Sequence, residues 1–268
     1  MKKILLIGGY GYLGKYLKKK LEKYFLIISP KKNNLNILNN KNLKKHINKK
    51  LFCIINLTGQ IGKNTGKTNN LGNKNIIKTI KEKKINPLLI FFSTTLIESY
   101  KKNKAIYQSE NLVYAKSKLV GENFLKDNYN NYMILRVSNI YDDKFEKRGI
   151  FNNIINSIKK KSLLKISNLN SFRNYIHIND VIDHTLKLLK LSKDSHNKRI
   201  VNLINENYSI KNILKFFEKK FICKIKMINL KTNLKKNYSQ KFFGFPHKIT
   251  GHMNKYKLKK TIMKFNDK

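Results

Sequence analysis

Ile4-Leu5-Leu6-Ile7-Gly8-Gly9-Tyr10-Gly11-Tyr12-Leu13-Gly14 is the stretch that decides the fold. Four uninterrupted apolar residues form the pattern of a short strand buried on both faces. Gly8, Gly11 and Gly14 then follow at GxxGxxG spacing, and Leu13, Leu17 and Leu21 recur at i, i+4 and i+8 with Tyr16 and Tyr24 beside them. That period predicts a helix over 12–23. A tight glycine turn between strand and helix lets backbone approach a pyrophosphate, which the unpaired N–H groups and dipole of the helix N-terminus then face. Glycines alone would also suit a plain turn; the strand before and the helix after point to a dinucleotide.

Outward from this stretch, strands and helices alternate. Strands are expected at 3–7, 25–28, 52–56, 88–92 and 132–137, and helices at 70–83 and 112–126. Residues 31–50 read as a loop with one helical turn. Such alternation means a parallel sheet with right-handed crossovers. Past 140 the pattern loosens, with helices expected at 150–160, 179–191 and 209–220 and short strands near 163–166, 200–203 and 223–228. The stretch after 228 is basic and poor in clear elements. The fold expected is α/β, a doubly wound parallel Rossmann sheet with a small C-terminal substrate lobe. Residues 1–140 and 172–204 would form the Rossmann domain, and 141–171 with 205–268 the lobe. No internal repeat or clear linker is present.

The 268 residues suffice for a sizeable core, and 41 % hydrophobic with 27 % charged residues argues against disorder. The net charge is +43, yet all but four of the 58 basic residues are lysine. Lys, Asn and Ile share AT-rich codons, so compositional drift is the first reading of this charge and a selected polyanion surface the second. A nucleic-acid surface would cluster its charge and favour arginine, so no specific nucleic-acid partner is expected. Cys53 and Cys223 lack CxxC spacing and read as reduced, buried thiols. No run nears the ~18 apolar residues of a membrane span. The apolar run after Met1-Lys2-Lys3 is a strand and not a leader, which implies a cytoplasmic protein.

Three further groups bear on chemistry. After the second strand stands Ser29-Pro30-Lys31-Lys32, where a dinucleotide site usually has a carboxylate for the adenosine ribose. Serine and lysines suit a 2′-phosphate, which tilts the cofactor from NAD toward NADP. Tyr114 and Lys118 lie one helical turn apart on one face, where an ammonium would lower the phenol's pKa and fit it for proton transfer. The same spacing joins Tyr16 to Lys20, Tyr100 to Lys104 and Tyr256 to Lys260, so context must select the pair. Ser93-Thr94-Thr95 supplies it, a hydroxyl cluster at the C-terminal edge of the fourth strand, where open α/β sheets bind ligands. Strand-end turns often carry Ser and Thr for their own sake.

Together these residues resemble the extended short-chain dehydrogenases/reductases, also called the NAD-dependent epimerase/dehydratase family. Over roughly residues 1–225 five motifs match in order. They are the glycine turn, Asn56-Leu57-Thr58-Gly59, Ser93-Thr94, Tyr114-Ala115-Lys116-Ser117-Lys118 with Glu122 following, and Arg173-Asn174-Tyr175-Ile176-His177-Ile178-Asn179-Asp180-Val181. Leu135-Arg136-Val137-Ser138-Asn139-Ile140-Tyr141 is similar to the family's segment after the fifth strand. The last of the five resembles the nucleotide-sugar branch. The resemblance implies that Thr94 is the catalytic hydroxyl, with Thr95 in reserve, Tyr114 the acid-base and Lys118 its partner. Gly8, Gly11, Tyr12, Leu13, Gly14, Lys31, Leu57, Thr58, Gly59, Tyr114 and Lys118 would bind NADP or NAD. Thr94, Thr95, Asn139 and Arg173 would meet a nucleotide-diphosphate sugar, Arg173 at the diphosphate.

Two departures stand out. Ile97-Glu98-Ser99 replaces the family's Val-Tyr-Gly, and a second phosphate-binding arginine is missing, with Lys248 or Lys255 as substitutes. His177 reads as a fold-supporting residue. His46, His184, His196, His247 and His252 show no metal-ligand spacing, so no metal is expected. The activity implied is reduction of a 4-keto group on a nucleotide-diphospho-deoxysugar. The alternatives are a 4-epimerase with tightly held NAD and a non-catalytic Rossmann protein binding dinucleotide or RNA. A homodimer through the helix bearing Tyr114 is also implied.

Overall fold

A computed structural model describes residues 1–59, 65–101, 109–145, 149–166, 169–191, 198–229 and 246–266. Lys104, Arg148, His196 and the basic stretch 230–245 lie outside them.

The first half builds one six-stranded sheet. Its strands are β1 (Lys3–Ile7), β2 (Leu26–Ile28), β3 (Leu51–Asn56), β4 (Leu88–Thr94) and β5 (Tyr132–Val137), with β6 (Asn139–Tyr141) and β7 (Leu164–Ile166) lying elsewhere. A later strand, β9 (Arg199–Leu203), completes it in the order β2-β1-β3-β4-β5-β9, and every pairing is parallel. This is the doubly wound sheet read from the sequence. β1 lies between β2 and β3, so the winding reverses there and the glycine turn leaves the sheet at the switch point.

Helices cover both faces because the strands are apolar on both. α1 (Tyr12–Leu21) buries Leu17 and Leu21, and α7 (Ile178–Lys190) packs beside it, burying Val181, Ile182 and Leu188 in the same core as Ile4, Leu6 and Ile55. On the other face α3 (Gly72–Glu82) and α5 (Ser109–Asn128) meet Leu5, Ile54 and Phe91 through Ile76, Ile80 and Leu125. A π-helical turn, Lys67–Leu71, leads into α3. α2 (Asn40–His46) fills two turns where one was expected; the Asn39 side chain caps it by accepting from Asn42 N at 3.2 Å.

A second assembly follows. β6, β8 (Phe172–His177) and β10 (Glu206–Ser209) form a three-stranded sheet, and β7 pairs with β11 (Met227–Asn229). α6 (Gly149–Lys159), α8 (Ile210–Phe221) and α10 (Leu258–Lys264) close over them. Their core is aromatic: Tyr141, Phe145, Phe151, Phe217 and Phe265 pack with Leu258 and Ile262. β8 and β10 escape a search for apolar runs because Arg173, Asn174, Glu206 and Asn207 interrupt them. The segment before α10 is fastened to α7 by buried Asp180, which accepts from His252 Nε2 (3.1 Å), Lys255 N (2.9 Å) and Tyr256 N (3.2 Å). Among the described residues no helix is long and apolar enough to cross a membrane. Cys53 and Cys223 are free thiols.

Candidate active site

The glycine turn is held by its own backbone. Gly11 N donates to Gly8 O at 3.0 Å, and Gly11 stands at the N-cap of α1 without side-chain capping or an acidic residue in the first turn. A Cβ on Gly14 would lie 2.2 Å from Gly8 O, so a side chain there displaces backbone. Gly9 is equally constrained, since its Cβ would fall 2.0 Å from Ser29 Oγ. Ser29 donates its one hydroxyl proton to Leu6 O at 3.1 Å and so packs the turn. The exposed side chains beyond it are Lys31 and Lys32. Tyr12 is partly exposed, while Leu13 packs onto the core.

The chain returns beside this turn at the end of β3. Leu57 N donates to Ile7 O at 3.0 Å, and Thr58 N and Oγ1 donate to Asn56 Oδ1 at 3.0 and 2.6 Å. Lys118 reaches the same loop from α5. Its Nζ donates to Thr58 O and to Phe92 O, both at 2.9 Å, and a Cβ on Gly59 would lie 3.1 Å from that Nζ. The ammonium therefore bridges the ends of β3 and β4. Tyr114, one turn earlier, has its ring centroid 5.9 Å from it. The expectation of a lowered phenol pKa is not met. Burial pushes Tyr114 up to about 12 and pushes Lys118 down to about 7, the latter opposed by the charge of Glu122. Lys118 spends its protons on two carbonyls, and desolvation outweighs mutual attraction for both groups.

Ser93 and Thr94 lie within β4, whose end is longer than the apolar run suggests. Thr94 Oγ1 accepts from Leu96 N at 3.2 Å, and Thr95 N donates to Val137 O at 3.2 Å. Ser93 Oγ and, after the neighbouring strand, Ser138 Oγ are buried without a partner among the described residues. Asn139 and Arg173 both belong to the second sheet: Asn139 Nδ2 donates to Asn174 O at 2.8 Å, Arg173 pairs with Tyr208 of β10, and burial lowers the Arg173 pKa. Lys248 and Lys255 are exposed. His177 caps α7, accepting from Asn179 N at 3.2 Å, and stacks on Tyr256 with centroids 3.9 Å apart.

Two networks were not anticipated. Asn56 Nδ2 donates to Asn73 Oδ1 (2.7 Å), while Asn69 Nδ2, from the π-helical turn, donates to Ser117 Oγ (2.9 Å), which donates to Tyr114 O (2.7 Å). Buried amides thus join the π-helical turn to the helix carrying Tyr114, and the end of β3 to α3. The second network centres on Arg136, which grips Glu122 with Nε and NH2 at 2.9 and 2.6 Å and Glu98 with NH1. Its signal was present in the sequence, since Arg136 is one of four arginines and Glu122 continues the Tyr114–Lys118 face at i+8. A cavity of about 290 Å³ between α1 and α7, on the opposite face of the sheet from α5, contains none of these groups.

Residues 4–203 match the model of the NAD dependent epimerase/dehydratase family. The chain belongs to that family. Solved structures similar to this family member include RMD from Pseudomonas aeruginosa complexed with NADPH (16 % identity, TM-score 0.78, 98 % of this chain and 97 % of that one). UDP-glucose 4-epimerase of Thermotoga maritima with UDP-glucose is similar at 17 % identity and TM-score 0.79, covering 98 % and 97 %. dTDP-4-dehydrorhamnose reductase of Bacillus anthracis with NADP is similar at 17 % and 0.78, covering 99 % and 98 %. At such identities the likeness is one of fold. No curated protein matches the sequence of this family member.

Proposed function

We propose that this family member is an NAD(P)H-dependent reductase of a 4-keto group on a nucleotide-diphospho-deoxysugar. The observation that carries the reading is Lys118, whose buried Nζ joins the loop after β3 to the end of β4 on the helix face that carries Tyr114.

The residues present fit a dinucleotide. The first turn of α1 has no side-chain cap, and Gly9 and Gly14 leave no room for a Cβ in the turn below it. Gly8, Gly11, Tyr12, Leu13 and Gly14 would take the pyrophosphate, and Leu57, Thr58 and Gly59 the adenosine side. Between Glu22 and Glu82 the chain has no carboxylate for the ribose 2′-hydroxyl, and Lys31 and Lys32 are exposed after β2. That favours NADP over NAD. When bound, the reduced cofactor supplies a hydride to the carbonyl carbon.

The chain's own part is to hold the substrate oxygen and to give it a proton. Thr94, with Thr95 in reserve, would hold the oxygen by its hydroxyl. Tyr114, pushed up to about 12, is a neutral phenol at physiological pH and is ready to donate. Reduction asks Tyr114 to give a proton, whereas epimerisation starts with proton withdrawal. Lys118 would orient the nicotinamide ribose and offset charge on the tyrosinate left behind. Asn139 on β6 and Arg173 on the neighbouring β8 would take the sugar nucleotide. Residues 1–140 and 172–204 would form the dinucleotide-binding Rossmann domain, and 141–171 with 205–268 the small substrate lobe. A homodimer through α5 would cover Val113 and Val120, which are exposed on that helix.

The test is mass spectrometry of any nucleotide that copurifies, then titration with NADPH and NADH. An empty site that prefers NADPH is expected. NAD held at one per chain would favour the 4-epimerase, and binding of neither would remove the dinucleotide reading.

A further inference from the structure

We propose that Glu98 is a positioning residue that ties the hydroxyl-bearing turn after β4 to the catalytic helix through Arg136. The proposal rests on the reading of Thr94, Tyr114 and Lys118 given above.

α4 (Leu96–Lys101) has six residues, too few to hold a helix by its own hydrogen bonds. It packs against α5 and needs anchors, and two of its side chains supply them. Ile97 is fully buried, and the Glu98 carboxylate accepts from Arg136 NH1. The backbone of the turn transmits this second anchor directly to the hydroxyls. Glu98 N donates to Thr95 O at 3.1 Å, and Leu96 N donates to Thr94 Oγ1 at 3.2 Å. Whatever fixes Glu98 therefore fixes the orientation of the Thr94 hydroxyl.

Arg136 is itself immobile. It is 5 % exposed, sits in register with Ser93 across β4 and β5, and has one edge filled by the two oxygens of Glu122, which is fully buried. A guanidinium holds its donors in a rigid plane, so gripping Glu122 with Nε and NH2 sets the direction of NH1. Glu122 lies on α5, one turn beyond Lys118 and two beyond Tyr114. The path Thr94–turn–Glu98–Arg136–Glu122–α5 links the group that would hold the substrate oxygen to the groups that would protonate it. The Glu98 side chain is 29 % exposed, so the tether can be cut without opening the core.

The test uses the full chain carrying Glu98→Ala, Glu98→Gln or Glu98→Asp. Amide hydrogen exchange needs no substrate. In Glu98→Ala, exchange over 94–101 should rise about tenfold, while α3, at 72–82, stays as in the parent. In steady state kcat for a 4-keto nucleotide sugar should fall about 10- to 100-fold, with NADPH affinity unchanged and Glu98→Gln recovering part of the loss. Unchanged exchange over 94–101 overturns the proposal, as does raised exchange with kcat unaltered or a change confined to KM. A parent chain that turns over no 4-keto nucleotide sugar would sink the proposed function instead, and the exchange result would still decide whether the tether exists.

Discussion

The six-stranded sheet and the assembly built on β6, β8 and β10 solve the burial problem in opposite ways. Strands of the first are mainly apolar: β4 and β5 are buried at every position, with Ser93, Thr94 and Arg136 near their C-terminal ends. Strands of the second are mixed, and several of their polar side chains hydrogen-bond to one another or to backbone. Asn174 Nδ2 donates to Asn207 Oδ1 at 3.1 Å, its Oδ1 accepts from Asn205 N at 3.0 Å, and Glu206 accepts from Leu258 N at 2.7 Å. The first region is a scaffold whose groups converge on one edge. The second sets buried polar side chains beside an aromatic core, and the proposed function gives this region to the substrate.

The comparison can be broken at its chemical centre. Tyr114→Phe should lower kcat by about 10²- to 10⁴-fold, with thermal unfolding and cofactor affinity near the parent values; retained turnover would separate the scaffold from the chemistry assigned to it. Arg136→Met takes both hydrogen bonds from buried Glu122, leaving it Lys126 Nζ at 3.9 Å, and should cost about 3–5 kcal/mol in urea unfolding. A loss below ~1 kcal/mol would mean that Lys126 suffices for Glu122. In the second region Arg173→Lys keeps the charge and loses the fork. KM for the nucleotide sugar should rise about tenfold with little change in kcat or unfolding. An equal loss of stability would make Arg173 a fold residue.

A further effect is one of pH. Lys118 is held down to about 7 in the fold against 10.5 in the unfolded chain. Between those values the unfolded state binds a proton that the native state does not, so stability rises with pH across this window. The slope is at most about 1.4 kcal/mol per pH unit. Urea midpoints from pH 7 to 10 in the parent and in Lys118→Met should differ in this slope; identical slopes would mean that Lys118 stays charged when buried.

Legibility in the sequence followed the same division. β1, the glycine turn and α1 were readable because apolar period and glycine spacing record burial directly. β8 and β10 were not, because hydrogen bonds among Asn174, Asn205 and Asn207 replace apolar burial there. Within the site, Tyr114 and Lys118 were found by spacing and context, but the sign of the phenol's pKa shift was not. It depends on how deeply the fold buries the phenol, which the Tyr114–Lys118 spacing does not record. Glu98 and Arg136 were visible as residue types, while their meeting required the register of β4 against β5.

Asp180 fastens residues 252–256 to α7, and Leu258, Ile262 and Phe265 just beyond supply part of the aromatic core. On a ribosome this fixes an order of events. β1 to β5 can pair while later residues are still being made, but the polar assembly lacks a wall until Leu258–Phe265 has left the exit tunnel. Until then Phe151, Phe217 and their neighbours face water, so a nascent or shortened chain at this stage is the form that chaperones and proteases would recognise.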